Sequence, residues 1–185
     1  MTLVNAGTII ASGSNALVID TGTNAINNSG TLEATGIGGL VINLSVANSG
    51  LLWANGAHIT INGDVTGGNA TLGGTAMLEL GGNSSVNVSF ADTSAQTLQI
   101  DGVHQFAGTV TGLGAGDSLD FTAFNNTAAV SYIENANGLG GVLSVTEGAD
   151  TLQINLVGHY IAPDFVATYD TTHGLIVQYH DGLFV

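Results

Sequence analysis

One short phrase is restated along this chain: VNAGTIIA at 4–11, NNSGTLEA at 27–34 and ANSGLLWA at 47–54. Each copy is a polar turn followed by an apolar pair, and two columns of such pairs can be traced. The first runs Gly7-Thr8-Ile9, Gly30-Thr31-Leu32, Gly50-Leu51-Leu52, Ala70-Thr71-Leu72 and Gly108-Thr109-Val110. The second alternates apolar and other residues: Leu17-Val18-Ile19, Leu40-Val41-Ile42, Ile59-Thr60-Ile61, Leu78-Glu79-Leu80, Leu98-Gln99-Ile100 and Leu119-Asp120-Phe121. Its members step by 23, 19, 19, 20 and 21 residues. A unit of that length, read as two short alternating strands, cannot bury its own apolar face. Stacking solves the problem, because each turn then covers the inward residues of the turns above and below. The spacing predicts an all-β fold, a right-handed parallel β-helix of about six coils of about 20 residues each over 1–125. The first column breaks around 84–97, in SSVNVSFADTSAQT. An antiparallel sandwich with evenly spaced turns is the competing reading. Against it stand the preserved strand order and the glycines that return in phase at the corners.

After Phe124 the rhythm changes. The segments AAVSYIE, GVLSVTEG, DTLQINLVG, DFVATYD and GLIVQYHD read as successive strands, with hairpin turns at 146–150 and 169–174. Residues 126–185 are expected to form an antiparallel β cap that hides the unpaired backbone edge of the last coil. No matching cap is visible in the first coil, so self-association through an open N-terminal β-helix edge is the expected partnership. The Asn28/Asn48 and Asn43/Asn62 pairs are expected to form hydrogen-bonded ladders along the stack.

Composition removes whole classes of function. The chain has no Lys and no Arg against 14 acidic residues, a formal charge of −14. Without cations it cannot neutralise phosphates, which argues against nucleic-acid binding. Schiff-base chemistry and arginine forks for anionic sugars are removed with them. With no cysteine there are no disulfides and no thiolate metal ligands. Apolar runs fall far short of the roughly 18 residues a membrane-spanning helix needs, so no membrane insertion by a helix is expected.

The stretch FAGTVTGLGAGDSLDFTAF, 106–124, resembles the segment that closes the repeats of bacterial type I secreted exoproteins, an RTX-like and β-strand-repeat family. Val110, Gly112, Leu113, Gly116, Asp117, Leu119, Asp120, Phe121 and Phe124 carry the match. LSVTEGADTLQINLVGHYIAPDFVATYD is similar to the C-terminal block of the same large exoproteins. The final DGLFV is similar to their uncleaved export signals, an acidic residue followed by hydrophobic ones. By that resemblance Asp181, Leu183, Phe184 and Val185 form the secretion signal, and the type I secretion apparatus is a partner. The implied address is extracellular or at a bacterial cell surface.

Few residues are candidates for chemistry. Calcium is the cofactor the resemblance suggests, but the G-G-x-G-x-D turn that binds it is absent, leaving Asp117 and Asp120 as the candidates. The bland alternative has Asp117 capping a turn and Asp120 facing solvent. His173 and His180, with Asp164, Asp170 and Asp181 nearby in sequence, lack the spacing of a zinc ligand set. Glu33 and Glu79 fall in different columns, unlike the facing carboxylates of a glycoside hydrolase. There is no G-x-S-x-G motif. Trp53 is the candidate ligand-binding residue, as a stacking platform for a glycan, against the simpler role of covering the core. The expectation is a non-catalytic structural or adhesive module of a secreted surface or matrix protein. Its rival is a carbohydrate-binding or calcium-responsive accessory module of a secreted polysaccharide-active enzyme.

Overall fold

The computed structural model describes residues 1–180 and Gly182. Asp181, Leu183, Phe184 and Val185, the residues expected to form a secretion signal, lie outside the described residues. Coils 1 to 4 each contain three strands, one per face of a three-sided rod, instead of the two expected. Coil 1 comprises β1 (Val4–Asn5), β2 (Thr8–Ala11) and β3 (Leu17–Ile19). Coil 2 comprises β4 (Ile26–Asn28), β5 (Thr31–Ala34) and β6 (Leu40–Ile42). Coil 3 has β7 (Val46–Asn48), β8 (Leu51–Asn55) and β9 (His58–Ile61). Coil 4 has β10 (Val65–Thr66), β11 (Asn69–Gly73) and β12 (Met77–Leu80). In coils 5 and 6 the first strand shrinks to single bridges at Ser84 and Phe106. Their remaining strands are β13 (Asn87–Phe90), β14 (Thr97–Ile100), β15 (Thr109–Thr111) and β16 (Ser118–Phe121).

Corresponding strands of successive coils pair in parallel throughout, giving sheets that we term A, B and C in the order the chain visits them. The second column stacks as the period requires: Leu17, Leu40, Ile59, Leu78, Leu98 and Leu119 are register partners in sheet C. From Leu40 onward all of them are buried. In sheet B the ladder is Ile9, Leu32, Leu52, Ala70, Val88 and Val110. Ala70 is therefore the partner of Leu52, so the copy read as Ala70-Thr71-Leu72 belongs two residues earlier, at Gly68-Asn69-Ala70. A two-residue slip keeps each side chain on its own face, which is why apolar pattern alone does not detect it. The column also continues unbroken through β13.

The repeated glycine has a steric cause. A Cβ on Gly30 would lie 1.9 Å from the Gly7 carbonyl oxygen, and one on Gly50 would lie 2.1 Å from that of Gly30. At this corner the backbones of successive coils nest too closely for any side chain.

Beyond coil 6 come β17 (Ala129–Glu134), β18 (Gly140–Glu147), β19 (Asp150–Val157), a short 3-10 turn at Ala162–Asp164, β20 (Phe165–Asp170) and β21 (Gly174–Tyr179). Hairpins join β18 to β19 and β20 to β21 as expected. Strand β21 closes sheet C antiparallel to β16. At sheet B the joint differs from the antiparallel cap expected: β19 adds to β15 in parallel, as a seventh rung, and only β18 and β17 then turn antiparallel. Four rings tie the two extensions together. Tyr160 packs edge-on against Tyr132 of β17 and Tyr179 of β21, while Phe165 of β20 lies 5.0 Å from Tyr132 and 5.2 Å from Tyr179 between ring centres. The cap and the coils share one continuous apolar core.

Candidate functional site

The polar side chains run mainly along the rod. Inside the sheet A corner, the Asn5 amide donates to Asn28 Oδ1 at 2.8 Å, and that of Asn28 donates to Asn48 Oδ1 at 2.7 Å. All three asparagines are buried, so each amide replaces water that the neighbouring coil has displaced. The ladder ends at coil 4, where Gly67 and Gly68 have φ of 73° and 68°. A Cβ on Gly68 would strike Asn48 Nδ2 at 2.1 Å. The second expected pair also forms, exposed on sheet C: Asn62 donates to Asn43 at 2.9 Å, and Asn43 to Asp20 at 3.4 Å.

Asp117 and Asp120 sit at the end of the stack with different jobs. Asp117, buried at the corner before β16, accepts the Gln96 amide N–H at 3.1 Å and the Gly114 amide N–H at 2.8 Å, one on each oxygen. It caps a turn and locks coil 6 onto coil 5. Burial raises its pKa, partly offset by those two hydrogen bonds. Asp120, on β16, is buried as well, so it does not face solvent. Its Oδ1 has no hydrogen-bond partner. Burial raises its pKa most; a hydrogen bond with Ser118 and the proximity of His173 oppose the rise, and Asp170 adds to it. The two carboxylates share none of these partners and do not converge. No group of three His, Cys, Asp or Glu side chains able to hold a metal occurs among the described residues.

The remaining candidates are dispersed. Trp53 is half-buried on the outer face of sheet B, since Leu52 and Ala54 on either side of it point inward. Its register neighbours are Glu33 and Thr71, and the row continues through Ser89 and Thr111. Glu33 thus lies on sheet B and Glu79 on sheet C, two different faces of the rod, so they cannot flank one bond. Glu33 accepts Asn55 at 3.0 Å. His173 pairs with Asp170 inside its own turn at 3.3 Å, and the His180 backbone N–H donates to the Asp164 carbonyl.

Two features escaped the sequence reading. On sheet C, burial raises the pKa of Glu79; a hydrogen bond from Thr60 opposes this, and Asp101 beside it adds to the rise. The row of sheet C that holds Glu79 continues through Gln99 to Asp120, with Asp101 just past the end of β14. Glu79 and Asp120 lie two coils apart in sequence, so only the register shows that they share a row. The other feature is Gln96, fully buried, whose side chain donates to Asp92 Oδ1 at 2.7 Å and accepts the Ala91 N–H while its backbone serves Asp117. A lone glutamine in a Ser/Thr-rich corner gives no signal of that role.

The surface carries open troughs: one of about 420 Å³ runs between Asn69, Thr71, Asn87, Ser89, Thr109 and Thr111. Another of about 420 Å³ separates Gln105–Ala107 from Thr151–Gln153 of β19. In comparisons with known proteins, no family model, no curated protein and no solved structure matches this chain.

Proposed function

We propose that the chain is a non-catalytic structural or adhesive β-helix module of a type I secreted bacterial surface or matrix protein. One observation carries the reading. The polar side chains are committed to coil-to-coil ladders along the axis instead of converging on a point where a substrate would react. Asn5–Asn28–Asn48, Asp20–Asn43–Asn62 and the Gln96 backbone N–H on Asp117 all hold one turn of chain to the next. Such a rod works by its length, stiffness and surface. The export part of the proposal rests on the resemblance of 106–124 and of the final residues to type I substrates. The test is export of the chain by a type I apparatus in a bacterial host, with and without residues 181–185. Deletion is expected to retain the protein inside the cell, and undiminished export would refute the signal.

A second reading is favoured by Trp53. A half-buried indole beside a row of Thr71, Ser89 and Thr111 supplies a stacking surface with hydroxyls, suited to an uncharged glycan. Binding on a glycan array that disappears in Trp53→Ala would favour this reading over a purely structural module.

A further inference from the structure

We infer that the gap between Phe106 and β19 is a docking slot for an extended, lysine- or arginine-bearing peptide segment of a partner protein, which enters as one more rung of the rod. Of the three sheets, B and C are carried past coil 6 by β19 and β21. Sheet A is not. Its last rung is the bridge between Ser84 and Phe106, and no strand of the described residues follows it. Where that next rung would stand, the trough of about 420 Å³ opens between Gln105–Ala107 and Thr151–Gln153.

Both walls of the trough are backbone edges. On one wall, the Ser84 N–H donates to the Gln105 carbonyl, and the Ala107 N–H donates to the Ser84 carbonyl. The N–H and C=O of Phe106, between those two residues, therefore turn away from coil 5 and into the trough. On the other wall, the Gly158 N–H donates to the Leu139 carbonyl, which fixes the phase of the β18–β19 ladder. Counting back in twos, Leu156, Ile154 and Leu152 bond to β18, and the N–H and C=O of Gln153 and Thr151 face the opposite way. None of these backbone groups on Phe106, Thr151 and Gln153 has a hydrogen-bond partner among the described residues.

The two edges are also in phase. Val110 and Leu156 are register partners, and Phe106 and Leu152 stand four residues before them on the same two segments. The segments part at the corner between sheets A and B, so equal steps lead to opposite walls. A strand laid between them, parallel to both, sets one residue across from Phe106 and Leu152 at once. That residue donates its N–H to the Thr151 carbonyl and accepts the Gln153 N–H, while its two neighbours serve Phe106. Its side chain points inward, where Phe106 and Leu152, 6% and 3% exposed, supply an apolar floor. Main-chain bonds with a pocket for alternate side chains are what strand addition needs.

Charge selects the occupant. The chain has 14 acidic residues and no Lys or Arg. Glu147 and Asp150 face each other at the tip of the β18–β19 hairpin, next to Thr151 at the mouth of the trough. A second copy brings a formal charge of −14 and no cation to that mouth, whereas a basic segment is drawn to it. The slot goes beyond the structural reading and is independent of export. It is measured on the purified chain, so failure of either leaves the other standing.

The test is a proton–nitrogen NMR titration of the 185-residue chain with acetyl-Thr-Lys-Val-Lys-Thr-amide, whose lysines point outward when its valine points inward. Saturable shifts and slowed amide exchange are expected at Phe106, Thr151 and Gln153. The same peptide with glutamate in place of lysine, and the lysine peptide N-methylated at valine, are each expected to bind about tenfold more weakly. Gln153→Pro deletes a slot-facing N–H that β18 does not use, where proline is tolerated. It is expected to abolish binding with unchanged circular dichroism, and the N-methylated peptide probes the same wall on the unaltered chain. No saturable shift, equal binding of the glutamate peptide, undiminished binding of the N-methylated peptide or by folded Gln153→Pro, or shifts centred on the Trp53 row would each overturn the proposal. Slowed exchange at Phe106 and Gln153 that grows with protein concentration in the absence of peptide would assign the slot to a second copy, and would overturn it as well.

Discussion

At the cap end, the inward residues of coil 6 are covered: Val110 has Leu156 as its register partner and Leu119 has Val177, and all four are buried. Four aromatic rings then fasten the two sheet extensions together. At coil 1 the corresponding Ile9 and Ile19 are half-covered and Leu17 is exposed, while order there rests on an asparagine ladder. One end is closed by side-chain volume and the other is ordered by hydrogen bonds with its core partly open. The contrast shows that parallel stacking supplies register but not termination. The cap end is closed by clustered rings and a change of strand direction, and strands that run antiparallel to a neighbour enter only after Phe124.

The sharpest way to break the contrast is to remove the ring at the centre of the cap. Tyr160 is buried and touches Tyr132, Phe165 and Tyr179. Burial also pushes its phenol pKa up to about 12, with a backbone hydrogen bond at Leu113 opposing the rise. Tyr160→Ala is expected to cost about 3–5 kcal/mol, read as a lowered denaturant midpoint. Loss of less than about 1 kcal/mol, the range of an ordinary surface change, would show that the rings are not what closes this end.

The ladder at the other end gives the next effect. Asn28→Ala strands the Asn5 amide donor and the Asn48 carbonyl acceptor together, and is expected to cost about 2–3 kcal/mol. Asn62→Ala removes a bond of the same kind from an exposed ladder and is expected to cost within about 0.5 kcal/mol. Chemical denaturation of both variants checks the pair. Equal losses would mean that the buried ladder contributes no more than its exposed copy.

Acid titration should separate two sets of carboxylates, buried and hydrogen-bonded at the surface, by sign. Asp120, Asp117 and Glu79 have raised pKa values in the folded state because burial disfavours their charged forms. The folded chain therefore holds these protons more tightly than the unfolded chain does. Their stabilising contribution is complete below the ordinary carboxylate range and is lost as pH rises through the raised values. Stability should thus rise as pH falls from neutral toward those values. It should fall again in stronger acid, where Asp92 and Asp170, lowered by hydrogen bonds from Gly74 and Ser94 and from Thr172 and His173, become protonated. Asp120→Asn should stabilise the chain at neutral pH by on the order of 1 kcal/mol and flatten the first limb. Thermal melts across pH check both, and a destabilised D120N would contradict the origin assigned to the shift.

The coils were legible in the sequence because a repeated side chain is a repeated environment. Leu40, Ile59 and Leu78 mark one ladder by identity and spacing alone. The sheet A strands were not legible: β1 and β10 are two residues long, and Asn5, Asn28 and Asn48 at their ends look like turn residues until the register shows them buried on one another. The cap strands were legible, since each is long and alternates. Their parallel joint through β19 was not, because alternation carries no strand direction. Among candidate residues, Asp117 was read as a calcium candidate with turn capping as the alternative, and it makes the hydrogen bonds of a turn cap. The burial of Asp120 depends on β21, some 55 residues later in sequence, and no local pattern encodes that.

The smallest expected effect tests whether the cap needs a cation. Asp117 spends one oxygen on each of two backbone amides, and Asp120 is stabilised when protonated, so calcium would have to displace the first arrangement and charge the second. Chelation with EDTA is accordingly expected to leave circular dichroism and the melting temperature unchanged, whereas a calcium-triggered fold would lose both. Tyr132→Phe supplies a matched control in the same region. Its hydroxyl is buried without a partner, so removing it should be neutral or slightly stabilising. A chelation effect larger than that of Tyr132→Phe would place a metal in the cap and reopen the calcium-responsive reading.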